Sequence, residues 1–285
     1  MSKKNIGIIG KGFVGSAVQN GFTSDKNFLA NIRIYDKDDG LKTHSLGDTI
    51  NKSEIIFLSV PTPSRRDGSI DLSIVDSILS EINDCQESQS IILLRSTIVP
   101  GSSNEFQMKY PKLNIVFNPE FLTEKNANFD FLNQSRIILG GDKKNTMKVA
   151  SLYNWRFKNM IPIIQTDFAT AELIKYMNNC FLATKVSFMN EMKIASKISG
   201  ADWDSAVKGF SLDERVGNSH NNVPGHDGKF GFGGSCFPKD VQAFIHFCEQ
   251  NEIPANVLIG TWKTNLRVRP EKDWEKLLGR AISED

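Results

Sequence analysis

The segment Gly10-Lys11-Gly12-Phe13-Val14-Gly15 constrains the fold more than any other. It spells G-x-G-x-x-G between an apolar run, Asn5–Gly10, and a helical pattern, Phe13–Phe22. The spacing alone is a weak signal. With a strand before it and a helix after it, it reads as the phosphate-binding turn of a dinucleotide fold. Gly10 permits the tight turn, Gly12 lets the backbone approach a pyrophosphate, and Gly15 lets helix and strand pack closely. The helix N-terminus, with Phe13 and Val14 in its first turn, stabilises phosphate charge. Asp36 lies 21 residues after Gly15, at the end of the next apolar run. A carboxylate there accepts from a ribose 2′-hydroxyl and repels a 2′-phosphate, which favours NAD over NADP. Lys37 beside it weakens that preference a little.

The pattern continues. Ile32–Asp36, Glu54–Val60, Ser90–Arg95, Asn114–Asn118 and Arg136–Gly140 are strand-like, and several are unbroken β-branched runs, as in strands buried on both faces. Leu72–Ile82 and Lys143–Trp155 are helical between them, and Ile161–Gln165 suits an edge strand. The alternation predicts an α/β fold with a Rossmann-type doubly wound parallel sheet over residues 1–165. From Thr166 and Asp167, both good N-caps, no Pro or Gly occurs until Gly200, which permits a helix of about 33 residues. Its apolar positions, Leu173, Ile174, Met177, Phe181, Val186, Phe188, Met189, Met192 and Ile198, spread around much of the helix, which predicts burial on more than one side. The helix is either a central core helix or one shared between two subunits, and the second is favoured. It opens a mostly helical domain over 166–285, with a short helix from Asp202 to about Phe210 and another starting near Pro238.

Composition excludes several classes. Lys plus Arg number 34 and Asp plus Glu 33, so no overall field draws nucleic acid or an acidic membrane. Apolar runs such as Ile55–Leu58 are far short of a membrane span, and the first strand leaves no room for a signal peptide. Four cysteines, Cys85, Cys180, Cys236 and Cys248, contain no C-x-x-C pair, so no zinc ribbon or thioredoxin-like site is expected, and four in a chain this long do not make a disulfide scaffold, which fits a reducing cytoplasm. His220 and His226 lack clear companion ligands, so no metal is expected.

The decisive segment for chemistry is Gly231-Phe232-Gly233-Gly234-Ser235-Cys236-Phe237-Pro238-Lys239-Asp240. A cysteine just before a helix feels its positive end, which favours the thiolate, and a thiolate attacks aldehydes. Lys175 and Asn179 lie four apart on one helix, hence on one face, and together can donate to an oxyanion. Ser59-Val60-Pro61-Thr62-Pro63, Asp67–Ser73, Ser96-Thr97 with Pro100-Gly101, Asn118–Glu124 (N-P-E-F-L-T-E) and Ala171–Asn179 complete a series. In these motifs and their order the chain resembles the UDP-glucose/GDP-mannose dehydrogenase family.

That resemblance implies an NAD-dependent oxidation of a nucleotide sugar at its C6 alcohol, UDP-glucose to UDP-glucuronate, in two hydride transfers through a Cys236 thiohemiacetal and thioester. It makes Asp240 with Lys175 the holders of a water that takes the alcohol proton, and Glu120 the base for thioester hydrolysis. It places Thr97, with Pro61, Thr62 and Glu124, near the cofactor. Glu120, Phe121, Leu122, Glu124, Lys175, Asn179 and Gly233 become substrate contacts, and the long helix becomes a homodimer contact. By the same resemblance the chain is a short form without the family's third, nucleotide-gripping domain; Asn265 and Arg267 of the central region are present. Residues 223–230 form a longer loop than the simplest family form; its glycine-rich backbone with Lys229 and with Arg215 outside it either holds a diphosphate or is a flexible loop with solvated charges. Two other readings stay open: a one-step β-hydroxyacid dehydrogenase, which leaves Cys236 without a task, and a non-catalytic NAD- or partner-binding module.

Overall fold

The computed structural model describes residues 3–25 and 28–284. By compactness the chain divides into two units, one running through Thr62 and from Leu72 to Lys175, the other taking Pro63–Asp71 and the chain from Tyr176 onward.

In the first unit, seven strands among the described residues form one sheet: β1 (Asn5–Ile9), β2 (Asn31–Tyr35), β3 (Ile55–Leu58), β4 (Ile91–Leu94), β5 (Asn114–Phe117), β6 (Ile137–Gly141) and β7 (Ile163–Thr166). Their order is β2-β1-β3-β4-β5-β6-β7. Every residue of β3 and β4 is buried, which is why those runs are apolar without alternation. Phe57 and Leu93 join the core on one face with Phe22 and Tyr153, while Ile56, Leu58, Ile92 and Leu94 join the core on the other with Leu79 and Phe106. Helices α1 (Phe13–Thr23), α3 (Ser73–Cys85), α4 (Ser102–Lys109) and α6 (Lys143–Phe157) cover these faces, with short α2 (Leu46–Asn51) and α5 (Ala127–Leu132) between strands.

The parallel prediction needs one correction. Strands β1 to β5 are parallel, but β6 pairs antiparallel with β5, through Val116 with Gly141 and Phe117 with Gly140, and β7 follows β6. The chain from 118 to 136 stays at the end where β5 finishes, so β6 starts there and runs back; an antiparallel neighbour needs no crossover.

The long helix, α7, spans Phe168–Ser199 and crosses the division between units after Lys175. Asp167 caps it, its Oδ1 accepting from the Thr170 N–H at 2.8 Å. Gly200 ends it in the left-handed region at φ 72°. In the second unit α8 (Trp203–Ser211) is capped by Asp202, whose carboxylate accepts from Ser205 N–H. Then come α9 (Cys236–Gln250) and α10 (Asn256–Val268). Helix α9 begins two residues earlier than its proline suggests: Cys236 is its first residue and Pro238 its third. Proline fits there because a first-turn N–H has no intrahelical acceptor to lose.

Candidate active site

The glycine turn has the geometry a dinucleotide requires. Gly10 has φ 90°, and a Cβ on it would lie 2.5 Å from the Ser59 carbonyl oxygen. A Cβ on Gly15 would lie 2.1 Å from the Gly10 oxygen, so only glycine allows α1 to start this close to β1. Gly12 differs: nothing lies within 4 Å of a Cβ built there, and no side chain caps α1. The open face of Gly12 and the uncapped first-turn N–H groups of Phe13 and Val14 suit a pyrophosphate. Asp36 is half-buried beside this turn; its Oδ2 accepts from Lys11 N–H at 2.6 Å and its Oδ1 from Asp38 N–H at 2.9 Å. A carboxylate has about four acceptor sites, so two ribose hydroxyls can still be met. Lys37 is exposed. Asp36→Asn should therefore weaken NAD binding about tenfold, the scale of one charge-assisted hydrogen bond, and narrow the preference over NADP. Titration of both dinucleotides checks this; unchanged affinities would refute the assignment of Asp36.

Around the ends of β3 and β4, Thr62 is buried and donates through Oγ1 to the Thr97 carbonyl at 2.8 Å, while Pro61 is exposed and Thr97 half-buried. The backbone after Thr97 is held by Glu172. Both its carboxylate oxygens accept backbone N–H groups, from Gly101 at 2.7 Å and Ser103 at 2.8 Å, so it caps α4. Burial pushes the Glu172 carboxyl above its ordinary range, with these N–H donors opposing.

Glu120 and Lys175 form a buried ion pair in the first unit, at 2.9 Å. The Lys175 ammonium also donates to the Glu120 carbonyl at 2.6 Å, and Glu120 Oε2 accepts from Leu122 N–H at 2.7 Å. Phe121 is half-buried, with the Arg136 guanidinium 4.3 Å and the Lys175 ammonium 5.5 Å from its ring centre. Leu122 is buried, and Glu124 is exposed on a 3-10 turn, Glu124–Asn126.

The second unit holds the thiol and a carboxylate. Cys236 heads α9, half-buried, and Asp240 follows one turn later, fully buried. Asp240 accepts from Asn179 Nδ2 at 2.6 Å and from Lys239 Nζ at 2.6 Å. Asp240 is thus held by Asn179 and Lys239, whereas Lys175 pairs with Glu120. Lys239 was missed by the sequence reading, although it stands inside the quoted motif. Burial pushes the Cys180 and Cys248 thiols up, away from reactivity, and burial also raises Cys85. Gly233 packs on Arg269. Of the two cations considered for a diphosphate, Lys229 is 3.3 Å from Glu271 and 3.7 Å from Asp273, and Arg215 pairs with Asp213 at 2.5 Å. Both already have carboxylate partners, which argues for solvated, paired charges there.

Two family models match the chain. The UDP-glucose/GDP-mannose dehydrogenase NAD binding domain matches residues 35–156, and the central domain of the same family matches 169–267. The chain belongs to the UDP-glucose/GDP-mannose dehydrogenase family. The glycine turn precedes the matched span, so its assignment rests on the geometry above. A UDP-glucose 6-dehydrogenase of Rickettsia bellii is 36% identical over 241 residues, 82% of this chain and 54% of the relative. The chain spans about half the length of the curated relatives it matches. Among solved structures, a UDP-glucose dehydrogenase from Pyrobaculum islandicum has a TM-score of 0.80 at 26% identity, covering 93% of this chain and 68% of that one. A 3-hydroxyisobutyrate dehydrogenase of Mycobacterium tuberculosis shares the fold, at TM-score 0.74 and 15% identity over 95% of both chains.

Proposed function

We propose that this family member oxidises the C6 primary alcohol of a nucleotide sugar, UDP-glucose foremost, to the carboxylate through a thioester on Cys236. The observation that carries the reading is Cys236 at the first position of α9 with buried Asp240 one turn behind it, held by Asn179 and Lys239. Bound NAD supplies the hydride acceptor, and two are consumed for each alcohol taken to acid.

The residues divide the remaining work. A water held by Asp240 takes the alcohol proton as C6 becomes an aldehyde. The Cys236 thiolate, favoured by the helix N-terminus, adds to the aldehyde carbon and forms a C–S bond. The resulting oxyanion is met by N–H donors: Asn179 spends one amide N–H on Asp240 and has a second, and Lys175 lies one turn away on α7. Loss of the second hydride leaves a thioester. Glu120 then acts as base for water, which adds to the thioester carbon; the C–S bond breaks, the thiolate leaves and the carboxylate is released. Per alcohol the balance is one water consumed, two hydrides transferred and three protons released. Thr97, with Pro61, Thr62 and Glu124, is assigned to the nicotinamide end. Phe121, Leu122 and Gly233 are assigned to the sugar nucleotide.

A second reading has one observation in its favour. The fold is shared with a 3-hydroxyisobutyrate dehydrogenase at TM-score 0.74, so a one-step oxidation of a β-hydroxyacid is the alternative the assay must separate. The test is NADH released per substrate consumed. Two per UDP-glucose supports the proposal. One per hydroxyacid, unaffected by loss of Cys236, supports the second reading. NAD binding with no turnover on any nucleotide sugar points to a binding module.

We also propose a homodimer through α7. Leu173, Met177, Phe181, Phe188 and Met192 are 40–66% exposed apolar side chains spaced four, four, seven and four apart, hence on one face. Such a stripe is a liability unless a second copy covers it. Phe181→Glu should weaken self-association at least a hundredfold and yield monomers in analytical ultracentrifugation. A dimer of unchanged affinity would refute the assignment.

A further inference from the structure

The glycine-rich approach to Cys236 is held from below by three side chains, and the last of them lies beyond the matched central domain. Asn190 Oδ1 accepts from Gly231 N–H at 3.0 Å. Asn265 brackets Phe232, accepting from its N–H at 2.7 Å and donating to its carbonyl at 3.0 Å. Arg269 then supports the next residue. It is 2% exposed, and a Cβ on Gly233 would lie 2.4 Å from its Nη2. The guanidinium therefore lies flat against the bare backbone of Gly233, three residues before the thiol.

A charge this buried needs partners, and Arg269 has them on two sides. Its Nη2 donates to Asp227 Oδ2 at 2.7 Å and to Asp273 Oδ2 at 2.7 Å; its Nε donates to Asp273 Oδ1 at 2.8 Å. Its Nη1 donates to the Phe230 carbonyl at 3.3 Å. Asp227 belongs to the loop before Cys236, whereas Asp273 belongs to a 3-10 turn, Asp273–Lys276, anchored by the buried ring of Trp274. The planar fork thus ties both ends of Asp227–Gly233 to a fixed turn. Lysine, with one point charge, cannot reproduce the fork to Asp273, the bond to Asp227 and a flat stack at once.

We infer that Arg269 is a positioning residue for Cys236: it fixes the glycine loop, and through it the first turn of α9. This rests on the proposed role of Cys236 as nucleophile. A nucleophile displaced by about 1 Å loses on the order of a hundredfold in rate. Gly233 is required for the same reason, because its missing side chain is the space the guanidinium fills.

The test reads the thiol directly. Alkylation of Cys236 by iodoacetamide is followed by mass spectrometry of its peptide across pH 5–9, alongside NADH yield, in wild type, Arg269→Lys, Asp227→Asn and Gly233→Ala. The expected result is a change of at least tenfold in Cys236 alkylation rate, or a displaced pH profile, in Arg269→Lys and Gly233→Ala, with NAD affinity unchanged. A smaller change of the same sign is expected in Asp227→Asn, which removes one side of the clamp from a partly exposed position and keeps the inference testable should Arg269→Lys not fold. Adding Arg269→Ala to Gly233→Ala should relieve the clash and recover melting temperature without recovering the alkylation profile. Folded variants with a lowered melting temperature but a wild-type alkylation profile would overturn the inference and leave Arg269 a stabilising residue only. A catalytically silent Cys236, shown by two NADH per sugar in Cys236→Ser, would instead sink the functional reading while the alkylation result still stands or falls by itself.

Discussion

Replacing Cys236 with serine should leave a protein that releases one NADH per nucleotide sugar and stops at the aldehyde. The overall rate to carboxylate should fall by roughly three orders of magnitude or more, about 4 kcal/mol of barrier. The reason lies in what each step needs. Oxidation of the alcohol requires a proton acceptor and a hydride acceptor, and Asp240 with its Asn179 and Lys239 donors is untouched by the change. Oxidation of the aldehyde requires a tetrahedral adduct from which hydride can leave, and a serine hydroxyl is a far weaker nucleophile than a cysteine thiolate. The aldehyde, trapped as a hydrazone and counted against NADH, gives the stoichiometry. Cys180, Cys248 and Cys85 offer no substitute, since burial raises all three thiols. Two NADH per sugar at the wild-type rate would remove the thioester from the mechanism.

Some of this architecture was readable because physics leaves few alternatives. Gly10 adopts φ 90°, which other residues avoid, so the turn declares itself. Strand β3 is an unbroken apolar run because Ile56 and Leu58 face one core and Phe57 the other. Helix α7 was readable from Asp167 to Gly200 because nothing between them breaks a helix. Other features depend on segments far apart in the chain. The direction of β6 is decided by the path of residues 118–136, which no periodicity encodes. The start of α9 was misplaced because proline is tolerated at its first and third positions alike. The site shows the same division. Lys175 and Asn179 were placed on one face by spacing alone, but their partners, Glu120 and Asp240, are 55 and 61 residues away. Arg269, just past the end of α10, carries no motif that marks it, because its partner Asp227 lies 42 residues earlier.

Lys175→Ala should destabilise the protein by roughly 3–5 kcal/mol, because it leaves the largely buried Glu120 carboxylate without its counter-charge. Both side chains are under a tenth exposed, and the ammonium also satisfies the Glu120 carbonyl, so one deletion orphans two acceptors. For a chain of this size such a loss lowers the melting temperature by roughly 10 °C or more. Glu120→Gln should be milder, since an amide oxygen can still accept from Leu122 N–H and from Lys175. Removing both charges together distinguishes structure from chemistry. Glu120→Gln with Lys175→Met takes the buried ions away as a pair, and a buried pair exchanged for neutral groups of similar size is often close to neutral in stability. The double variant should therefore melt near wild type while carboxylate formation stays lost, because neither an oxyanion donor nor a hydrolytic base remains. Calorimetry and NADH yield on the same preparations decide it. If the double variant melts as low as Lys175→Ala, the pair is a structural element that hydrophobic packing cannot replace. If it recovers turnover together with stability, Glu120 and Lys175 only hold the fold, and the hydrolytic step must be assigned elsewhere.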